Sequence, residues 1–254
     1  MALEFELSGH GPRKVIVLHN WMSTLRSFDP IRPYLDEAGF SYAFVDHRGY
    51  GLNRNVDGLN TAAEAARDVV QVADALGWPR FNLVGHSMSG MVAQRVAVDA
   101  GARLQSLLAI TPVPASGVAL DAAGTALFSA TATDDASWRE VARMITSGRL
   151  PAAFYDAALA HFRRSVSTAA YLRFLDMWTG TDFSSEMKGL AMPALAVVGG
   201  QDFPAFREDA MQKTLGRWFR HLQIEVIDSS GHHPMAETPP YFVAVIERFM
   251  RGAP

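Results

Sequence analysis

The chain reads as an α/β protein, with a mostly parallel central sheet, helices on both faces and a helical lobe inserted between two strands. Two observations predict the sheet and a third predicts the lobe. Short runs that are apolar at every position recur along the chain, the pattern of strands buried on both faces. Stretches with apolar residues at helical spacing separate them, and this alternation implies parallel strands joined by crossover helices. From Pro112 to about Met187 the alternation fails, and helical patterns follow one another with no strand signal. A structureless loop of about 75 residues is improbable inside a compact domain, so this segment is expected to fold as a lobe of its own. The expected division is a core of residues 1–112 and 188–254 carrying a helical cap of residues 113–187.

In chain order, the predicted strands are Lys14–His19, Phe40–Val45, Phe81–Val84, Leu104–Ile110, Leu195–Val198 and Leu222–Ile227. Between the second and third, Thr61–Leu76 places Ala65, Val69, Val72, Ala73 and Leu76 on one helical face. Thr61 and Glu64 form a capping-box start there and Gly77 a stop. Met88–Ala100 is a second helix ending at Gly101, and Pro240–Met250 a last one begun at a proline. Within the lobe, helical patterns run over Ser137–Thr146, Pro151–Arg164 and Thr168–Trp178. Bulky residues repeat along the last two: Phe154, Ala158 and Phe162, then Tyr171, Phe174 and Trp178.

Composition removes several classes of function. The 254 residues, 49% hydrophobic and 19% charged, suffice for one large domain or a core plus a lobe. Lys and Arg number 23 against 26 Asp and Glu, a net charge of −3 with no basic block, so neither nucleic acid nor an anionic membrane is an expected partner. The absence of Cys excludes disulfides, thiolate metal sites and cysteine nucleophiles. The histidines lack metal-ligand spacing, and Gly49–Arg54 lacks the third glycine of a dinucleotide fingerprint, so no metal and no cofactor are expected. Met1–Lys14 does not read as a signal peptide, and no apolar run approaches the ~18–20 residues of a membrane span. A soluble, cytoplasmic monomer or homodimer acting on a small molecule is the expectation.

The chemistry concentrates at strand ends. In Phe81–Gly90 (FNLVGHSMSG) a buried strand meets a helix at a sharp turn with Ser87 at its apex. Such a turn lifts the Ser87 hydroxyl above the sheet edge and aims the Met88 amide at the space a substrate oxygen would occupy. The strand and helix cross closely there, which calls for small residues at Gly85 and Ser89. A serine nucleophile needs a base, and His232, after Gly231 in the loop following the last strand, is the candidate, with His233 its competitor. The base needs a carboxylate to hold its tautomer. Asp202, at the exit of Leu195–Val198, fits better than Asp134, Asp135 or Asp228, because ligand-facing groups collect at the carboxyl ends of such strands. A second donor for an oxyanion is expected from the Trp21 amide at the exit of Lys14–His19. One preorganised donor contributes about 3–4 kcal/mol to a tetrahedral intermediate.

Together, VIVLHNW (15–21), VDHRGYGLN (45–53), VGHSMSG (84–90), VVGGQD (197–202) and SGHHPMAETP (230–239) make the chain resemble the α/β-hydrolase superfamily, in particular its cap-bearing single-domain esterases and lactonases. The resemblance covers nearly the whole chain. It implies a serine hydrolase cleaving a carboxylic ester or lactone, with Ser87, His232 and Asp202 in the catalytic roles and Asp46–Gly51 as structural support. Two positions depart from the family pattern. Asn20 stands where the oxyanion turn usually has Gly; Asn tolerates a left-handed backbone, and its side chain is expected to reach the site. Ser89 stands where the elbow usually ends in Gly, and its hydroxyl is expected to bond the backbone one turn back.

Asn20, His86, Trp138, Phe154 and Trp178 are the expected substrate contacts, forming a pocket for an apolar acyl or aryl group. The lobe's remaining aromatics are expected to pack among themselves. The same residues would also serve C–C bond or amide hydrolysis. A cofactor-free lyase or oxygenase that uses only the His–Asp base is a further alternative, as is a slow-turnover small-molecule receptor. Ser87→Ala separates these readings, since only a nucleophilic role loses nearly all activity.

Overall fold

Alternation along each strand decides which residues hold the two sides of the sheet. In the computed structural model, which describes residues 2–253, seven strands line up in the order β1-β3-β2-β4-β5-β6-β7. They are β1 (Phe5–Ser8), β2 (Arg13–Leu18), β3 (Phe40–Val45), β4 (Phe81–His86), β5 (Leu104–Ile110), β6 (Ala194–Gly199) and β7 (Leu222–Ile227). Every neighbouring pair is parallel except β1–β3. Side chains alternate between faces with period two. Ile16 and Leu18 enter one core layer while Val15 and Val17 enter the other; Ala196 and Val198 likewise oppose Leu195 and Val197.

Helices cover both layers. The first layer packs under α1 (Ala62–Ala75) and α2 (Met88–Ala100), through residues such as Val69, Val72, Met91 and Val96. The second packs under a 3-10 segment, Leu25–Tyr34, and under α10 (Pro239–Gly252), through Phe28, Ile31, Phe242 and Ile246. Thr61 caps α1 as its sequence implied, its side chain accepting from the Glu64 amide. Four helices lie between β5 and β6: α3 (Ala122–Ala130), α4 (Asp135–Ile145), α5 (Ala152–Ser165) and α6 (Thr168–Gly180). Short helices α7 (Glu208–Lys213) and α8 (Leu215–Trp218) join β6 to β7, and α9 (Pro234–Glu237) precedes α10. Among the described residues no helix is long and apolar enough to cross a membrane.

The buried stripe of α5 differs from the expected one. Tyr155, Leu159 and Phe162 point into the core, whereas Phe154 and Ala158 are only partly buried and face a cavity. Both sets have helical spacing, so the stripe is decided by what the helix packs against rather than by period alone.

The chain leaves β2 for β3 on one side and returns to β4 on the other, so the order of strands reverses between β2 and β4. Crevices at such reversals, beyond the carboxyl ends of the strands, are where open α/β sheets bind ligands. The loop after β3 buttresses this end. Asp46, 1% exposed, accepts from the Leu25 amide at 2.7 Å and the Leu52 amide at 2.9 Å. Gly51 sits at φ +44°, where a Cβ would fall 1.9 Å from the Asp46 carboxylate. Asp46→Ala orphans two amides and is expected to destabilise the fold by about 2–3 kcal/mol, read as a shift of the urea midpoint.

Candidate active site

Strand β4 and helix α2 meet at Ser87, whose backbone is held at φ +56°, ψ −116°. A non-glycine residue at positive φ persists only where its surroundings over-determine it. Here the Ser87 amide donates to Ile110 O at 2.8 Å, and Ser87 O accepts from Gly90 N at 2.8 Å and Val113 N at 3.0 Å. Gly85 is required by the crossing, because a Cβ on it would lie 2.3 Å from Ser89 O. The Ser89 hydroxyl does not bond back one turn as expected. It donates across to His19 O and accepts from His47 Nε2 at 2.7 Å, tying α2 to the exits of β2 and β3.

Three distant loops converge on the Ser87 hydroxyl. His232 Nε2 lies 2.9 Å from Ser87 Oγ, and His232 Nδ1 lies 2.8 Å from Asp202 Oδ2. A carboxylate only accepts, so Nδ1 carries the proton and Nε2 is free to accept from the serine. The second Asp202 oxygen takes the Phe203 amide at 2.7 Å, which fixes the carboxylate plane. Ser87 is 9% exposed, His232 3% and Asp202 1%, so these bonds form in a largely dry site where their electrostatics are strong. The competitor His233 turns instead toward a second chamber, and loss of water pushes its pKa down to about 3. The rival carboxylates Asp134 and Asp135 are occupied elsewhere, capping α4 and pairing with Arg163.

The turn after β2 carries Trp21. Its ring stacks on Tyr171 at 4.0 Å between centroids, its Nε1 donates to Tyr171 O at 2.8 Å, and Tyr50 Oη donates to Trp21 O at 3.0 Å. The indole is thereby a fixed wall. Asn20 is not left-handed: outside glycine, positive φ among the described residues is confined to Asn60, Ser87, Thr111 and Ser147. Its Oδ1 accepts from the Met22 amide at 2.8 Å, an Asx-turn that shapes the bend without glycine. Its Nδ2 faces His86 Nδ1 at 3.3 Å, so the side chain is committed inside the protein rather than free to meet an oxyanion.

A cavity of about 270 Å³ opens over Ser87 and His232, and Trp21 and Met88 line it too. Met88 heads α2, so its amide has no carbonyl one turn back to bond. Apart from Asn20 the remaining wall is apolar, with Phe128, Val141, Met144, Ile145 and Trp178 from the helical insertion and Phe203 and Phe206 from the loop after β6. Of the expected substrate contacts, Trp178 and Asn20 line this cavity. Trp138 and Phe154 line a separate chamber of about 250 Å³ that shares only Asn20, Met22 and Ile145 with the first. His86 lines neither; it is fully buried, with Nε2 2.8 Å from His232 O.

Burial pushes the pKa of His47 and His86 well below the ordinary histidine value, and neighbouring imidazoles add to the effect. Both rings are neutral in the fold. As pH falls below about 6.5 the unfolded chain binds protons at these positions while the folded chain does not, so stability rises with pH across this range and is lost on acidification. The slope approaches about 1.4 kcal/mol per pH unit for each ring. Urea midpoints measured from pH 7 to 5 are expected to fall, with the slope reduced by one proton in His47→Gln.

A strand–serine–helix turn, a downstream carboxylate and a later histidine on a mostly parallel sheet define a class of fold, and the chain belongs to it. Residues 14–239 match the family described as the alpha/beta hydrolase fold. A hydrolase from Oleispira antarctica superposes with a TM-score of 0.85 over 98% of this chain and 94% of its own, at 16% identity. A pimeloyl-[acyl-carrier protein] methyl ester esterase from Legionella pneumophila (strain Lens) is 24% identical over 98% of this chain and 100% of its own length. A protein named as a carbamate hydrolase in Variovorax paradoxus (strain S110) is 35% identical over 43% of this chain, and the match spans only 42% of that relative.

Proposed function

We propose that the protein hydrolyses a small carboxylic ester or lactone through an acyl-enzyme on Ser87. The observation that carries this reading is the unbroken line of hydrogen bonds from Ser87 Oγ through His232 to Asp202, opening on an apolar cavity. His232 Nε2 takes the serine proton as Oγ attacks the carbonyl carbon, and Asp202 stabilises the imidazolium that forms. The developing oxyanion sits between the amides of Met88 and Trp21. Collapse expels the alcohol, which leaves with the proton held by His232. Water then enters, His232 deprotonates it, and a second tetrahedral intermediate releases the acid and Ser87.

Residues 113–187 act as the cap of this site. Their apolar side chains over Ser87 supply no charged partner, so the group they enclose is an uncharged acyl or aryl chain that gains affinity by leaving water. The Legionella relative named as a methyl ester esterase, alike along its full length, supports ester chemistry, and the Variovorax relative named as a carbamate hydrolase supports acyl transfer more broadly.

A fluorophosphonate probe is expected to label Ser87, seen as a mass increase on its peptide. On a panel of chromogenic esters and lactones, Ser87→Ala is expected to lower kcat/KM by about 10³-fold or more, and Asp202→Asn by a comparable factor through loss of the productive tautomer. Retained turnover in Ser87→Ala would replace the acyl-enzyme by chemistry that needs only the His–Asp base. Tight binding with negligible turnover in the unaltered protein would indicate a receptor.

A further inference from the structure

His86 lines neither cavity and Asn20 lines both, yet both are buried beside the site, and their polar side-chain atoms bond inward in one direction. We infer that Asn20 and His86 are a positioning pair that holds the Trp21 amide and the His232 imidazole in register.

The chain of bonds is fixed by what each atom can do. His86 Nε2 is 2.8 Å from His232 O, and a carbonyl only accepts, so Nε2 carries the hydrogen. The neutral ring then accepts at Nδ1, which lies 3.3 Å from Asn20 Nδ2 and must face the NH₂ end of that amide. The other end, Oδ1, must therefore accept, and it does, from the Met22 amide at 2.8 Å. Three separate bonds agree on one orientation of Asn20 and one tautomer of His86. Asn20 thus performs two tasks at once. Its oxygen closes the Asx-turn around Trp21, setting where that residue's amide lies, and its nitrogen engages the imidazole that supports the base.

At the far end the His232 main chain is held from several sides. Its carbonyl takes the Thr111 hydroxyl at 3.2 Å as well as His86, and its amide donates to Ile145 O at 3.3 Å. Thr111 is a β-branched residue at φ +39°, a backbone conformation that needs holding; its amide donates to Val197 O at 2.8 Å. His86 and Thr111, at the ends of β4 and β5, both donate to the carbonyl of His232, and Asn20, beyond the end of β2, braces His86. The titratable groups facing His86 are His19 from the exit of β2 and His232 and His233 from the loop before α9. None offers it a negative charge, so it stays a neutral donor.

The inference rests on the acyl-enzyme reading, and its test separates the two. Asn20→Ala is expected to lower kcat on a chromogenic ester, and the rate of fluorophosphonate labelling, by about ten- to a hundred-fold with KM nearly unchanged, the signature of misplaced reacting groups. Asn20→Asp keeps the acceptor for the Met22 amide but sets a carboxylate oxygen against His86 Nδ1. That contact holds only while the Asp–His pair carries an extra proton, so activity should fall as pH rises through the ionisation of the pair. This descending limb should be absent from the unaltered protein. Wild-type kcat and wild-type pH profile in both variants would overturn the pairing and leave the acyl-enzyme standing. Failure of the unaltered protein to label at Ser87 would overturn the acyl-enzyme and the proposed role together.

Discussion

The backbone of Ser87 is the constraint around which the site is built. Holding a serine at φ +56° costs about 1–3 kcal/mol, and the surrounding structure must supply it locally. It does so with the amide bond to β5, the two amides that converge on the serine carbonyl, and the bare Cα of Gly85 against α2. In return the hydroxyl stands clear of the sheet with the first free amide of α2 beside it. Relaxing the turn into ordinary helix or strand geometry would bury the hydroxyl and separate it from His232.

Behind this turn lies a buried network of imidazoles and a serine hydroxyl beside the Asp46 carboxylate. His19 donates from Nδ1 to Asn20 O at 2.6 Å and accepts at Nε2 from the His47 amide at 3.1 Å; His47 donates to Ser89, which donates to His19 O. Both ring nitrogens of His19 are used, and His47 joins the network through its backbone amide and its Nε2. Buried polar groups arranged this way specify a single arrangement of loops, because any slip leaves a donor facing a donor. An apolar filling of the same volume would pack as well but would not fix the direction of an amide.

Much of this was legible in the sequence. Strands buried on both faces announce themselves as unbroken apolar runs, and the residue types at the exits of β2, β4, β6 and β7 pointed to the candidate site. What was missed has physical causes. β1 is a four-residue edge strand, FELS, without a buried position. In α3, AAGTALFSA, no residue is fully buried, so it has no apolar stripe to betray it. Leu25–Tyr34 contains Pro30 and Pro33 and forms a 3-10 segment rather than a helix of ordinary pitch. Asn20 and Ser89 stood out in the sequence, but their partners did not, because a side-chain bond across 66 or 70 positions leaves no periodic trace.

Helix α4 does two things at one place. Val141, Met144 and Ile145 shape the cavity, and the carbonyl of Ile145 receives the main-chain amide of His232. Remodelling that helix to widen the cavity therefore also moves an anchor of the His232 main chain. If the proposed acyl-enzyme holds, selectivity and speed are tied through a single peptide unit, and the variants expected to widen the pocket without slowing turnover are those that change side chains while leaving the last turn of α4 where it is.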